Sequence, residues 1–271
     1  MIPHQSALYL AANLLLFALL LLYWAYVFRP RWITERMLLA ALLSFSTCQG
    51  TALLWSTVRL GPWAIAHSYV STMFLIEAIV LVYLLLERLS SQRGQGAYVL
   101  ILGFVIHTCV ILFVPPPIEA TLQISPFVRS PWYLLHLLCA LVAYGAYMCA
   151  GVGAIGYFVT RLLTRTRLAA HLPSSQDCQM LTRRALVIGF PWLSGSLMMG
   201  ALWSQLAWGN YWSWRPEEIW LLIVWLILSL TLHARTMARW QGRPLALLSF
   251  LGFILTMLSL PVLARGLPPA W

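Results

Sequence analysis

Lysine is absent from the 271 residues, and only seven acidic side chains stand against 17 arginines. Charged residues make up 9% of the chain, far short of the roughly 25–35% that a water-facing surface carries. A freestanding water-soluble domain is excluded on that ground. No CxxC or CxxCH occurs, and Cys48, Cys109, Cys139 and Cys149 lie within apolar runs while Cys178 does not. Neither a disulfide framework nor covalent haem attachment is indicated. A nucleotide-binding loop, a hydrolase triad and a dense carboxylate–histidine cluster are all missing, which argues against a stand-alone turnover enzyme. The net charge of +10 does not point to nucleic acid, because the arginines fall in short clusters between apolar runs. The start, Met1 to Ala7, has neither a basic stretch nor a small-residue cleavage site, so it is expected to lead into a retained first helix.

What remains is apolar, with a hydrophobic fraction of 61% and a mean hydropathy of +0.82. Eight stretches, near 7–28, 37–58, 64–86, 97–114, 132–159, 185–204, 219–237 and 244–264, are long enough or nearly so to cross a bilayer. The hydrocarbon is about 30 Å thick and a helix rises about 1.5 Å per residue. The sequence thus predicts an all-α, polytopic membrane bundle of about eight helices, a single membrane domain over 1–271. The linkers at 29–36, 87–96, 160–184 and 235–243 hold 13 arginines, whereas Arg59, Arg129, Arg215 and Arg265 are alone on the other side. The positive-inside rule puts the first set in the cytoplasm. Both termini and the loop at 205–218 are then expected outside, and the 160–184 linker as a basic tether along the inner surface.

The outer loop concentrates Trp208, Trp212, Trp214 and Trp220, with Tyr211, in 13 residues. An interfacial aromatic belt would spread its rings among helix ends. A ligand platform would gather them, because a flat apolar molecule stacks on indoles. A protein-docking surface is the third reading. Pro216 and Glu217 suit a helix start, with Glu218 in its first turn.

Neutral imidazole is a natural iron ligand. His136 lies about 7 Å and His233 about 21 Å inside the outer boundary by helical rise, too far apart to bridge one iron, so separate sites are expected. His67 starts helix three on the outer face, and a packing role competes with a ligand role both for it and for His107. His4 and His171 are expected to be solvated. Glu77 is the one carboxylate deep in a span. It could pair with His233 if helices three and seven touch, bond a backbone carbonyl as the neutral acid, or belong to a proton path. Gly145, Gly151, Gly153 and Gly156, with small neighbours, predict close packing of helix five.

At this point the chain resembles the CcsA/ResC-type cytochrome c assembly proteins, the superfamily of CcmC and CcmF, and the HemX-like branch related to them. The family's tryptophan-rich "WWD" loop has the pattern W-G-x-x-W-x-W-D-x-x-E-x-W. The segment from Trp208 to Trp220 matches every Trp, Gly209 and Glu218. Ser130 to Tyr147 and Leu232 to Arg243 are similar to two further family stretches, and a family-like core spans about 55–260. The resemblance implies haem b binding and transfer at the outer face of the cytoplasmic (inner) membrane during c-type cytochrome maturation. It implies apocytochrome c and a Ccs1/ResB-like membrane protein as partners, His136 as external ligand and His233 as the transmembrane histidine. HemX-like tetrapyrrole sensing, or a structural subunit of a larger complex, are the alternatives. Two departures stand out. Arg215 replaces the loop's Asp and could clamp a propionate. No histidine follows His233, so a second external ligand would come from His4, His67, His107 or a partner.

Overall fold

A computed structural model of the protein describes residues 3–89, 93–116 and 126–264, the side chains of 3–6 and 260–264 excepted. Every regular element among them is helical: α1 (Pro3–Phe28), α2 (Glu35–Leu60), α3 (Ser68–Arg88), α4 (Gly96–Phe113), α5 (Pro131–Leu162), α6 (Ser175–Trp208), α7 (Pro216–Thr236) and α8 (Arg243–Ala264). Short 3-10 turns occupy Pro62–Ala66, Pro126–Val128 and Arg167–Ala170. Seven of the helices are long and apolar enough to cross a membrane, and α8 carries a shorter apolar stretch over Arg243–Ser259. The polytopic helical bundle expected from the apolar runs is the observed architecture. Arg265 and most of the 115–125 stretch lie outside the described residues, as does the side chain of His4.

The α6 boundary differs from expectation. The linker predicted to run to Arg184 stops at Ser174, where a capping box turns the chain into helix. The Asp177 amide reaches the Ser174 hydroxyl at 3.2 Å, and Asp177 Oδ2 accepts the Ser174 amide at 3.2 Å. Two of the donors that a helix start leaves open are thereby satisfied. Cys178, Leu181, Thr182 and Ala185 then recur at helical spacing and are buried. The basic side chains nearby hid this stripe, although the cap was present in the sequence.

The centre of the molecule is α5, whose second half is buried on nearly every side. Its glycines let three neighbours approach. A Cβ at Gly145 would stand 2.9 Å from the Ala78 carbonyl carbon of α3. One at Gly151 would meet the Phe253 ring of α8 at 2.2 Å, and one at Gly153 the Thr182 Oγ1 of α6 at 2.5 Å. In the space thus opened, Thr182 Oγ1 reaches the Ala150 carbonyl at 3.1 Å. On one flank α3 joins α1, α2 and α4, while on the other α7 packs on α8 and α6.

The arginine-rich end is tied by a polar cluster. Glu87, predicted as linker, is 1% exposed. It accepts the Tyr23 hydroxyl at 2.7 Å and the Tyr83 hydroxyl at 3.2 Å. Arg93 lies 3.7 Å from Glu87 and 2.8 Å from Glu35, joining α3 to the start of α2. The buried carboxylate is thus balanced by a cation and two phenols, the condition under which such burial is tolerated.

Candidate functional site

The opposite end holds the tryptophan loop, and beneath it a cavity opens between α3, α5, α6, α7 and α8. It opens outward, and its roughly 1220 Å³ of non-atom space includes the solvent at its mouth. Tyr133 and His136 come from the first turns of α5 and Trp203 from the last turns of α6, while Tyr211 and Trp212 come from the loop and Glu217, Glu218 and Trp220 from the start of α7. Leu75, Leu141 and Tyr144 line it more deeply. These residues lie far apart in sequence and meet because five helix ends converge there.

The loop is braced by its own groups. Glu218 Oε2 accepts the backbone N–H of Ser213 at 2.8 Å and of Arg215 at 3.3 Å, and Oε1 lies 3.4 Å from the Ser204 hydroxyl. Between those two amides Trp214 has a positive φ of 56°, a conformation that costs free energy for a bulky residue. Trp214 is exposed and crosses Trp212 edge-on with ring centroids 5.8 Å apart. Trp208 does not line the cavity but stacks on Phe127 at 5.1 Å, and Trp203 Nε1 donates to the Phe127 carbonyl at 2.7 Å. The 126–128 turn is thereby clamped against the loop. Trp220 donates to the Leu255 carbonyl at 3.1 Å, fixing α7 to α8. The indole nitrogens of Trp208 and Trp212 are buried without a hydrogen-bond partner, and Trp212 faces the cavity.

His136 lies in the seam between α5 and α6. Its Nδ1 is 2.9 Å from the Ser196 carbonyl oxygen and 3.1 Å from the Ser196 hydroxyl. Among the described residues it is the one histidine that lines the cavity.

The other expected site residues are placed elsewhere. His67 caps α3, its Nδ1 accepting the Tyr69 amide at 3.2 Å, and it does not line the cavity although Ile65 and Ala66 do. His107 is fully buried, with Nε2 3.2 Å from Gln49 Oε1. The Gln49 amide nitrogen in turn reaches the Met73 carbonyl at 3.2 Å, so this histidine takes the packing role. His233 lies three residues before the end of α7 and is exposed, since it sits about 200° round the helix from buried Thr231. A small crevice in that half, lined by Tyr147, Thr231 and Ser249, does not include it. Glu77 neighbours Ser46 of α2, and α7 is not among the helices that pack closely on α3, so no Glu77–His233 pair forms. The Arg215 guanidinium is centred 3.9 Å over the Trp208 ring instead of lining the cavity, an arrangement that cation–π attraction favours. Sequence reasoning missed Tyr133, Trp203 and Glu217 as lining residues. Trp203, one and a half turns before Trp208, was the available signal.

Residues 65–262 match the family described as Cytochrome C assembly protein. The chain belongs to that family. The matched span contains every cavity-lining residue from Ile65 to Ser259 and leaves α1 and α2 outside it. The cytochrome c biogenesis protein CcsA of a Synechococcus strain is 29% identical over 266 residues, covering 89% of this chain and 86% of its own. That of Crocosphaera subtropica is 25% identical over 327 residues, covering 98% and 97%. That of Marchantia polymorpha is 25% identical over 256 residues, covering 79% of each chain. The solved structure of the cytochrome c haem lyase CcmF superposes with a TM-score of 0.61 at 21% identity, over 98% of this chain and 51% of that one. At that identity the likeness speaks for the assembly-protein fold alone.

Proposed function

We propose that the cavity beneath the tryptophan loop holds haem b for presentation during maturation of c-type cytochromes, with His136 as the residue that would ligate its iron. The observation that carries this reading is a single imidazole in a mostly aromatic and aliphatic cavity beneath the tryptophan loop, with Glu217 and Glu218 on its α7 side. The donor chemistry fits, because a neutral imidazole ligates haem iron. Tyr133, Trp203, Trp212 and Trp220 offer ring faces and edges to a flat tetrapyrrole. The unpaired Trp212 N–H has no protein acceptor and is available to a ligand.

When bound, haem supplies the redox-active iron and the macrocycle to be joined to the thiols of apocytochrome c. The chain's own residues bind, orient and exclude water. Glu218 holds the loop closed over the site, and Arg215, stacked on Trp208, places a positive charge beside it for an anionic group. The arginine distribution favours the loop on the outer face of the cytoplasmic membrane with both termini outside. An apocytochrome and a Ccs1/ResB-like subunit are the partners that fit this location. His233, exposed near the arginine-rich end, is read as a contact for a tetrapyrrole at a site distinct from that of His136, a reading supported by its separation from the cavity. A one-histidine cavity also suits a HemX-like sensor, which binds haem without delivering it.

Absorption spectra of the protein purified in mild detergent test the reading. Stoichiometric haem is expected in the wild type, loss in His136→Ala, and recovery on adding imidazole. An unaltered spectrum in His136→Ala would rule out this ligand, and weakly retained haem in the wild type would favour the sensor.

A further inference from the structure

Three histidines near the tryptophan-loop end make hydrogen bonds that fix which ring nitrogen carries the proton. His67 Nδ1 accepts a backbone N–H from Tyr69, so its proton is on Nε2. His107 Nε2 faces the oxygen of Gln49, whose amide nitrogen is occupied with the Met73 carbonyl, so its proton is on Nε2 as well. His136 is the reverse. Its Nδ1 faces the Ser196 carbonyl oxygen at 2.9 Å, and a carbonyl can only accept. The Ser196 hydroxyl has one proton, which it gives to the His136 backbone carbonyl at 3.1 Å. Its oxygen is then a second acceptor for Nδ1–H at 3.1 Å. In the neutral ring, Nε2 therefore keeps its lone pair, and among the described residues the ring's hydrogen bonds are both made by Nδ1.

One turn further along α6, Gly200 supplies the space for this arrangement. A Cβ there would stand 2.8 Å from His136 Nδ1 and 3.2 Å from Cε1. Ser196 and Gly200, four residues apart, share the helix face turned to α5. A buried histidine satisfied by one bond across a seam would need neither a second acceptor nor a glycine against its edge.

We infer that Ser196 and Gly200 are positioning residues that hold His136 as the Nδ1–H tautomer with the bare Nε2 turned to the cavity. The tautomer stands on this geometry alone, and its bearing on iron rests on the haem reading above. A carbonyl-bonded imidazole is also the more basic ligand. Neither residue touches the ligand, and both act through the ring.

Nitrogen-15 NMR of histidine-labelled, haem-free protein at neutral pH reads the tautomer directly. His136, assigned by comparison with His136→Ala, is expected to show a protonated Nδ1 and an unprotonated Nε2. The opposite assignment overturns the inference whatever haem does. Gly200→Ala pushes the ring off the Ser196 carbonyl, and we expect it to lose the single-tautomer signal and to weaken haem retention about ten-fold or more. Gly195→Ala is the control in the same helix, because its Cβ would meet Cys139 Sγ at an ordinary 3.7 Å, and it should leave both readouts unchanged. Gly200→Ala with wild-type tautomer and retention would sink the positioning role. Retention unchanged in His136→Ala would instead remove the haem reading and leave the tautomer to be judged by the NMR spectrum.

Discussion

His67 spends its Nδ1 lone pair on the first turn of α3, and burial pushes its imidazole below the ordinary 6.5. The folded protein then takes up this proton at a lower pH than the unfolded chain does. Stability from the neutral ring is complete above the ordinary value and declines as pH falls below it, because the unfolded state protonates first. We expect thermal midpoints in detergent to drop more between about pH 7.5 and about pH 5 in the wild type than in His67→Asn, which can cap without titrating. Equal slopes would place the acid sensitivity in another group. Glu218 makes a second residue-scale test. Glu218→Ala strands the Ser213 and Arg215 amides around a backbone already at positive φ. A loss of about 2 kcal/mol is expected in unfolding followed by tryptophan fluorescence, with Glu218→Gln milder because it keeps an acceptor. The sequence made the carboxylate legible as part of the loop, but not as the group that closes it. Helical position showed neither that Trp208 faces Phe127 nor that Arg215 settles on Trp208, since both depend on how the 126–128 turn folds back.

Helix existence followed from apolar run lengths, since a bilayer leaves the backbone little alternative between polar linkers. Partner choice did not. Glu77 and His233 were candidates for each other by depth, yet α5 and its glycines decide which helices meet, and Glu77 falls beside Ser46. Glu87 falls beyond the apolar run that marks α3 in the sequence, yet the helix continues to Arg88, and Tyr23 and Tyr83 make the burial of Glu87 possible. The small face of α5 was legible, and it supports a prediction at this scale. Gly153→Val sets a side chain within 2.8 Å of the Cys178 carbonyl, which cannot move aside cheaply. A destabilisation of roughly 1–3 kcal/mol is expected, read as earlier loss of monodispersity on heating. Gly50→Ala, at a position with open space around it, is the comparison and should match the wild type.

For the whole molecule, orientation is the property on which an outward-facing site depends. With the exposed Cys109 replaced, Tyr211→Cys is expected to react with an impermeant maleimide on intact cells, and Arg165→Cys only after permeabilisation. The reverse pattern would turn the cavity to the cytoplasm and end the presentation role. The sequence carried this axis openly in its arginines, and it carried the tryptophan loop. The cavity was invisible in it, because five helix ends separated by up to 194 positions, Ile65 to Ser259, build one wall. The seam between α5 and α6 joins the two ends in another way. Thr182 fixes the rotation of α6 against α5 near the arginine-rich end, and Ser196 aims the imidazole about 21 Å further along the same rod. Pro191 stands between these two contacts, and it is where a twist of α6 applied at its Thr182 anchor would be taken up before it reached the His136 ring.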